Sequence, residues 1–268
     1  MKKKFTDQMG RTVEIVTPPK RIISLVPSQT ELLFYLGLDE EVVGLTKFCV
    51  HPVAKFKAKP RVGGTKKYNF EKIRALQPDL IIGNKEENDQ AQIEALAEEF
   101  PVWMSDILTL EDALEMIDAV GQLVGKIAKA ELLVEKLIIQ FGKLQEDLAA
   151  KKDRPGVAYF IWKKPMMVAG SQTFINEMLQ IAGFKNIFGH LKRYPRITEE
   201  MLVAARPEVV LLSSEPFPFR AKHVKEIKEI CPNAVIQLVD GELFSWYGNR
   251  LLLATDYFKK LRKLFPNP

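Results

Sequence analysis

The chain has 268 residues, 47% of them hydrophobic and 27% charged, with a formal net charge of +5. Such a composition excludes disordered, collagenous and coiled-coil rod classes, and it permits one large domain or two lobes of about 120 residues each. No apolar run approaches the ~20 residues of a membrane-spanning helix, and with no basic helix or aromatic-interleaved basic strand, nucleic acid is not an expected partner.

Met1-Lys2-Lys3-Lys4 resembles the start of an export signal, but Asp7, Gln8 and Arg11 follow where its apolar core would lie. On its own this predicts a cytoplasmic chain, or one whose leader lies outside the sequence. Phe5 to Val16 alternates around Met9-Gly10, which predicts a hairpin. Ile22 to Val26 reads as a buried strand, and Pro27-Ser28 opens a helix running to Leu36, with Ser28 and Glu31 spaced as a capping box and Gly37 as its C-terminal stop. Further strands are expected at Val42–Leu45, Leu80–Gly83 and Val102–Met104, with helices over Phe70–Gln77, Asp89–Glu99 and Leu110–Val124. A Pro-free pattern from Ile127 to Ala150 predicts one helix spanning roughly 35 Å. Its packing stripe is Ile127, Val134, Leu137, Ile138, Phe141, Leu144 and Leu148. A second series then begins, with strands at Val157–Ile161, Val209–Leu212 and Val235–Leu238. Its helices are Thr173–Ala182, Glu199–Ala205, His223–Ile230 and Asn249–Leu264. Strands alternating with helices predict an α/β fold of two Rossmann-like lobes with mainly parallel sheets, bridged by one long α-helix. The expected boundaries are 1–124 for the N-terminal lobe, 125–152 for the bridging helix and 153–268 for the C-terminal lobe.

The two series look like copies of one plan. Leu76-Gln77-Pro78-Asp79-Leu80-Ile81-Ile82 and Ala205-Arg206-Pro207-Glu208-Val209-Val210-Leu211 both read as a helix end, a Pro, an acid and a short apolar strand. Upstream, Glu71 matches Glu200 at the same offset. Glu31-Leu32-Leu33 to Gly37-Leu38 likewise matches Glu177-Met178-Leu179 to Gly183-Phe184. A repeated αβ plan points to two similar lobes and a ligand held between them.

Motifs for catalysis are missing. Gly63-Gly64-Thr65-Lys66-Lys67 lacks the spacing of a phosphate loop. No nucleophile elbow is present, and His51, His190 and His223 have no ligand spacing. The chain is therefore not expected to be an enzyme. Cys49 and Cys231 form no close pair. Cys49 and His51, two apart in an extended segment, either share a face that ligates a soft metal or are a half-buried thiol and a loop histidine. Asn84 follows directly on a strand's carboxyl end, where open α/β sheets bind ligands. Trp162, Trp246 and Tyr247 also follow strand ends and either stack on a flat ligand or fill core.

Phe5-Thr6-Asp7 through Gly10-Arg11 is followed by Pro19-Lys20-Arg21-Ile22-Ile23-Ser24-Leu25, by Thr30-Glu31-Leu32-Leu33 to Gly37 and by Pro60-Arg61-Val62-Gly63-Gly64. Leu76-Gln77-Pro78-Asp79-Leu80-Ile81 and the Glu199-Glu200 helix before Pro207 continue the series. These segments carry a resemblance to the helical-backbone (class III) substrate-binding proteins of ABC importers. It covers essentially the whole chain, and its spacing is most similar to the cobalamin-binding branch.

That resemblance implies an extracytoplasmic monomer with little hinge motion and no intrinsic cofactor. A small-molecule metal chelate would sit in the cleft: a corrinoid, or alternatively a ferric siderophore, haem or metal ion. A cytoplasmic carrier or sensor of the same fold is the other alternative. The implied partner is an ABC permease dimer, docked through one surface glutamate on each lobe, which here are Glu71 and Glu200. Early in a helix, either acid also complements the helix dipole. The implied ligand-binding loops hold Ser28, Phe48, His51, Thr65, Asn84, Trp162 and, from Glu242 to Tyr247, Glu242, Phe244, Trp246 and Tyr247. Asn84 stands where the cobalamin binders offer an aromatic ring.

Overall fold

The computed structural model describes residues 1–149 and 153–265. Residues 150–152, at the end of the expected bridging segment, and 266–268, at the end of the expected C-terminal lobe, lie outside the described residues. The chain divides into two compact units. The first comprises Met1–Ile107, Glu111–Leu137 and Trp246–Arg250; the second comprises Leu108–Leu110, Ile138–Ser245 and the chain from Leu251 onward.

The first unit opens with the hairpin β1 (Lys2–Thr6) and β2 (Thr12–Val16). Asp7 closes it by accepting from the Met9 and Arg11 backbone N–H groups at 3.0 and 2.8 Å, and it pairs with the Arg11 guanidinium at 2.7 Å. Next come β3 (Ile22–Ser24), α1 (Pro27–Tyr35), β4 (Val42–Leu45), α2 (Val53–Ala58), α3 (Phe70–Leu76), β5 (Leu80–Asn84), α4 (Gln90–Ala97), β6 (Val102–Ser105) and α5 (Leu110–Leu123). Four strands form a parallel sheet in the order β4-β3-β5-β6. Strands β3, β5 and β6 are buried at every residue, as expected when helices cover both faces of a parallel sheet.

Helix α6 (Ile127–Ala149) contributes residues to both units, with the division after Leu137. Its buried line is Ala130, Leu133, Leu137, Phe141 and Leu144, spaced three and four apart. Two members of the expected stripe do not belong to it: Ile127 and Ile138 are about half exposed, because their positions fall off the line that Leu133 and Leu137 define.

In the second unit follow β7 (Gly156–Trp162), β8 (Met167–Val168), α7 (Phe174–Ile181), β9 (Lys185–Asn186), α8 (Glu199–Ala205), β10 (Val209–Ser213), α9 (Ala221–Ile230), β11 (Val235–Val239), α10 (Glu242–Ser245) and α11 (Leu251–Lys263). Parallel β9, β7, β10 and β11 reproduce the order β4-β3-β5-β6, and antiparallel β8 adds to the carboxyl end of β7. The short elements α2, β8, β9 and α10 are too brief to carry a periodic signal, and only the structure reveals them.

The repeat extends to the caps. Asn69 and Thr198, at equivalent positions, cap α3 and α8 by accepting from Lys72 N and Met201 N, and both helices end in a left-handed residue, Gln77 or Arg206. Helices α1 and α7 both stop at a glycine of positive φ, Gly37 and Gly183. The next residue, Leu38 or Phe184, returns its N–H to Leu33 O or Leu179 O. The copies differ at one cap. Thr173 caps α7, but the capping box expected from Ser28 and Glu31 is absent. Proline occupies the first turn of α1, Val26 is its N-cap, and the Glu31 carboxylate takes two bonds of 2.8 Å from Arg250 instead. A bidentate charge-assisted pair outcompetes a single bond to the helix end.

Candidate functional site

In the first unit the chain leaves β3 toward β4 on one side, while β5 lies on the other. The order reverses between β3 and β5, and open parallel sheets bind ligands outside the carboxyl ends of strands at such a reversal. Ser28 and Asn84 sit directly on it. Ser28 is buried, and its hydroxyl lies beside Tyr247. The Asn84 side chain is also buried, and both ends of its amide serve the protein. Its oxygen accepts from the Glu86 and Glu87 N–H groups at 2.9 and 3.2 Å, and its nitrogen donates to Ser105 Oγ at 3.0 Å. Gln29 Nε2 reaches the same Ser105 hydroxyl at 2.6 Å. Asn84 thus shapes the loop after β5 rather than presenting a free amide to a ligand. Its equivalent in the second unit, Ser213, does the same for its own loop, where Oγ accepts from Glu215 N at 3.3 Å and from Tyr159 OH at 3.2 Å.

Cys49 and His51 do not share a face. The Cys49 thiol is fully buried between Thr30 Oγ1 at 3.0 Å and Thr46 Oγ1 at 3.1 Å, and burial pushes it up to about 11. The segment turns at Thr46–Cys49 instead of remaining extended, so period two does not apply. The His51 ring instead meets Trp246 edge-on at 5.5 Å. Among the described residues no group of three or more His, Cys, Asp or Glu side chains could hold a metal ion. At pH 8 roughly one Cys49 in a thousand is thiolate, so an alkylating reagent should label it only after unfolding. Rapid native labelling, located by peptide mass spectrometry, would contradict this buried site.

The aromatic residues separate by exposure. Phe48, after β4, is 48% exposed, with the Lys47 ammonium 5.0 Å from its ring centre. Trp162, at the end of β7, is 39% exposed, donates its indole N–H to Lys164 O and meets Phe217 edge-on. Trp246 and Tyr247 are only 6% and 5% exposed, and both belong to the first unit. There the Arg250 guanidinium stacks on Trp246 at 4.9 Å and Tyr247 OH donates to Glu87 at 3.3 Å. Desolvation, reinforced by the Glu87 carboxylate, raises the Tyr247 hydroxyl well above its ordinary range. Phe244 is core of the second unit, packed on Tyr159 and Phe258, and Glu242 begins α10 half-buried. Thr65 contributes its carbonyl, which accepts from Tyr68 OH at 2.6 Å and from Asn88 Nδ2 at 3.1 Å. Phe217 was not among the expected residues; its signal is the Pro-Phe-Pro-Phe run that follows β10.

Glu71 and Glu200 each occupy the second residue of their helix, and both are exposed. The Thr198 hydroxyl, with a backbone N–H, holds the Glu200 carboxyl below the usual carboxylate range. No helix is long and apolar enough to cross a membrane among the described residues.

A family model described as periplasmic binding protein matches residues 22–230. The chain is 28% identical over 261 residues to an uncharacterized ABC transporter substrate-binding lipoprotein, YvrC, of Bacillus subtilis (strain 168), covering 92% of this chain and 81% of the relative. It is 27% identical over 197 residues to a vitamin B12-binding protein of Photorhabdus laumondii, covering 73% and 71%. Among solved structures it is similar to the periplasmic heme-binding protein RhuT from Roseiflexus sp. RS-1, with a TM-score of 0.78, 23% identity and coverage of 91% and 98%.

Proposed function

Because the chain belongs to the periplasmic binding protein family, we propose that it is the substrate-binding component of an ABC importer and works outside the cytoplasm. Its ligand is a corrinoid or another metal chelate, with haem and ferric siderophores as alternatives, which it delivers to a permease. The observation that carries this reading is the duplicated sheet order, with a partly exposed aromatic at the carboxyl end of a strand in one unit, Trp162, and just beyond one in the other, Phe48. Flat apolar surfaces of that kind suit a macrocycle. The vitamin B12-binding relative supports a corrinoid. Of the residues singled out in the loops, Phe48, His51, Thr65 and Trp162 remain as ligand contacts, while Glu71 and Glu200 serve the permease. The family is one of binding and transport proteins, and no reaction is assigned to this chain.

The test is mass spectrometry of the ligand carried by the natively purified protein, followed by titration with cobalamin, haemin and a ferric hydroxamate. Phe48→Ala should weaken the bound chelate by about tenfold, the loss expected of one stacking ring. A protein that binds none of the three, and carries no chelate, would overturn the reading.

A further inference from the structure

Beside Phe48 the first unit holds a cavity of about 640 Å³ in which five of the ten lining residues are cationic: Lys47, Arg61, Lys66, Lys67 and Lys72. No carboxylate lines it. Other cations of the same unit do find acids: Lys55 and Lys59 pair with Asp39, Arg74 with Glu99 and Lys85 with Asp106. The five do not, among the described residues.

Two of them have structural tasks. The Arg61 guanidinium donates to the Phe56 and Lys59 carbonyls at the end of α2, and Lys66 Nζ donates to Glu86 O at 2.8 Å, tying the cavity wall to the loop after β5. Lys47, Lys67 and Lys72 have no hydrogen bond or ion pair for their ammonium groups among the described residues. The turn that presents Lys66 and Lys67 is built for close approach. Gly63, at φ +130, lets the Lys67 carbonyl come within 2.4 Å of where a Cβ would be, and Gly64 N donates back to that carbonyl at 2.9 Å.

A concave surface lined by one sign of charge concentrates ligands of the other sign. The lining includes the Phe48 ring and lysine side chains, whose methylene stems offer apolar surface while the ammonium groups stay wet. We propose that this cavity receives the anionic edge of the transported chelate, so that the ligand is an amphipathic anion bearing carboxylate, phosphate or catecholate oxygens rather than a neutral complex. The inference rests on the chelate-binding reading above and deepens it.

The experiment offers the purified protein chelates in matched pairs. These are haemin and its dimethyl ester, cobalamin and its monocarboxylate, and a ferric tris-catecholate and a neutral ferric hydroxamate. In whichever pair binds, the more anionic member should bind roughly tenfold more tightly at low salt, and the preference should shrink at high salt. Lys47→Gln with Lys67→Gln should remove most of that preference while leaving affinity for the neutral member unchanged. Both side chains lie at the surface, and a matching thermal unfolding midpoint confirms the fold. Lys47→Arg with Lys67→Arg should retain the preference. A pair that binds with no anionic preference, or with a preference the glutamine variant keeps, overturns this inference and leaves the chelate-binding reading standing. No binding to any of the six overturns both.

Discussion

Reversing both Glu71 and Glu200 to arginine is expected to abolish uptake in cells while leaving the affinity of the isolated protein for its ligand unchanged. The two carboxylates sit at the same position of duplicated helices, each two residues after a side-chain cap, Asn69 or Thr198. Both are exposed, so their removal disturbs no core. A permease made of two like subunits would offer one basic partner to each, and charge-assisted bonds at a contact rim govern encounter and orientation. Arginine in both places would set like charge against like. The single reversals should each reduce uptake by about tenfold or more, and the double variant should leave none measurable. The acid also favours the first turn of its own helix, so the check must separate the two roles. Glu71→Gln with Glu200→Gln keeps the size and loses the charge, and unfolding curves report the helix contribution directly. Uptake that persists in the double arginine variant would leave these acids as helix-start residues alone.

Much of the fold was legible because the signals are local. Prolines, helix-stop glycines and apolar runs of four or five residues mark βα units, and the duplicated Pro-acid-strand segments mark the repeat. The caps explain why that repeat survives in so few letters. Asn69 and Thr198 differ as residues yet accept the same bond, and Gln77 and Arg206 adopt the same left-handed turn. Chemistry, not identity, is what the two copies share.

The candidate site was less legible, because exposure is a tertiary property. Nothing near Trp246 or Tyr247 distinguishes a ring facing a ligand from one facing a helix. Their burial follows from Arg250, which draws the segment onto α1 through a partner 219 residues away in the chain. Cys49 illustrates the same limit: period two holds only in an extended segment, and a turn at Thr46 directs the thiol inward to two threonine hydroxyls. The basic cavity is a third case. Lys47, Arg61, Lys66, Lys67 and Lys72 carry no shared signal along the chain, and only the fold gathers them around one hollow.

Breaking the Glu31–Arg250 pair should cost about 2 kcal/mol of stability, and more than the loss of an exposed ion pair. The guanidinium makes two bonds of 2.8 Å to the carboxylate, and both side chains are mostly covered, at 11% and 15% exposure. Glu31 without the guanidinium is a charge in a largely desolvated place, which is why Arg250→Met alone should be harsher than the double replacement. In Arg250→Met the apolar chain keeps some packing on Trp246 but strands Glu31; in Glu31→Gln the guanidinium loses its bidentate charged partner and stays stacked on the indole. Glu31→Gln with Arg250→Met should therefore recover part of the stability lost in Arg250→Met, a coupling that urea unfolding measures. The consequence for binding follows from the chain path. Arg250 carries Trp246 against His51 and Tyr247 against Glu87, so loosening it frees the very loop that borders Phe48's neighbours after β4. Ligand affinity of Arg250→Met should fall by about tenfold under conditions where the variant is still fully folded. Strictly additive single and double variants would mean that the pair is an exposed contact without energetic weight. An unchanged affinity in a destabilised Arg250→Met would mean that the segment holds the unit together but does not shape the site.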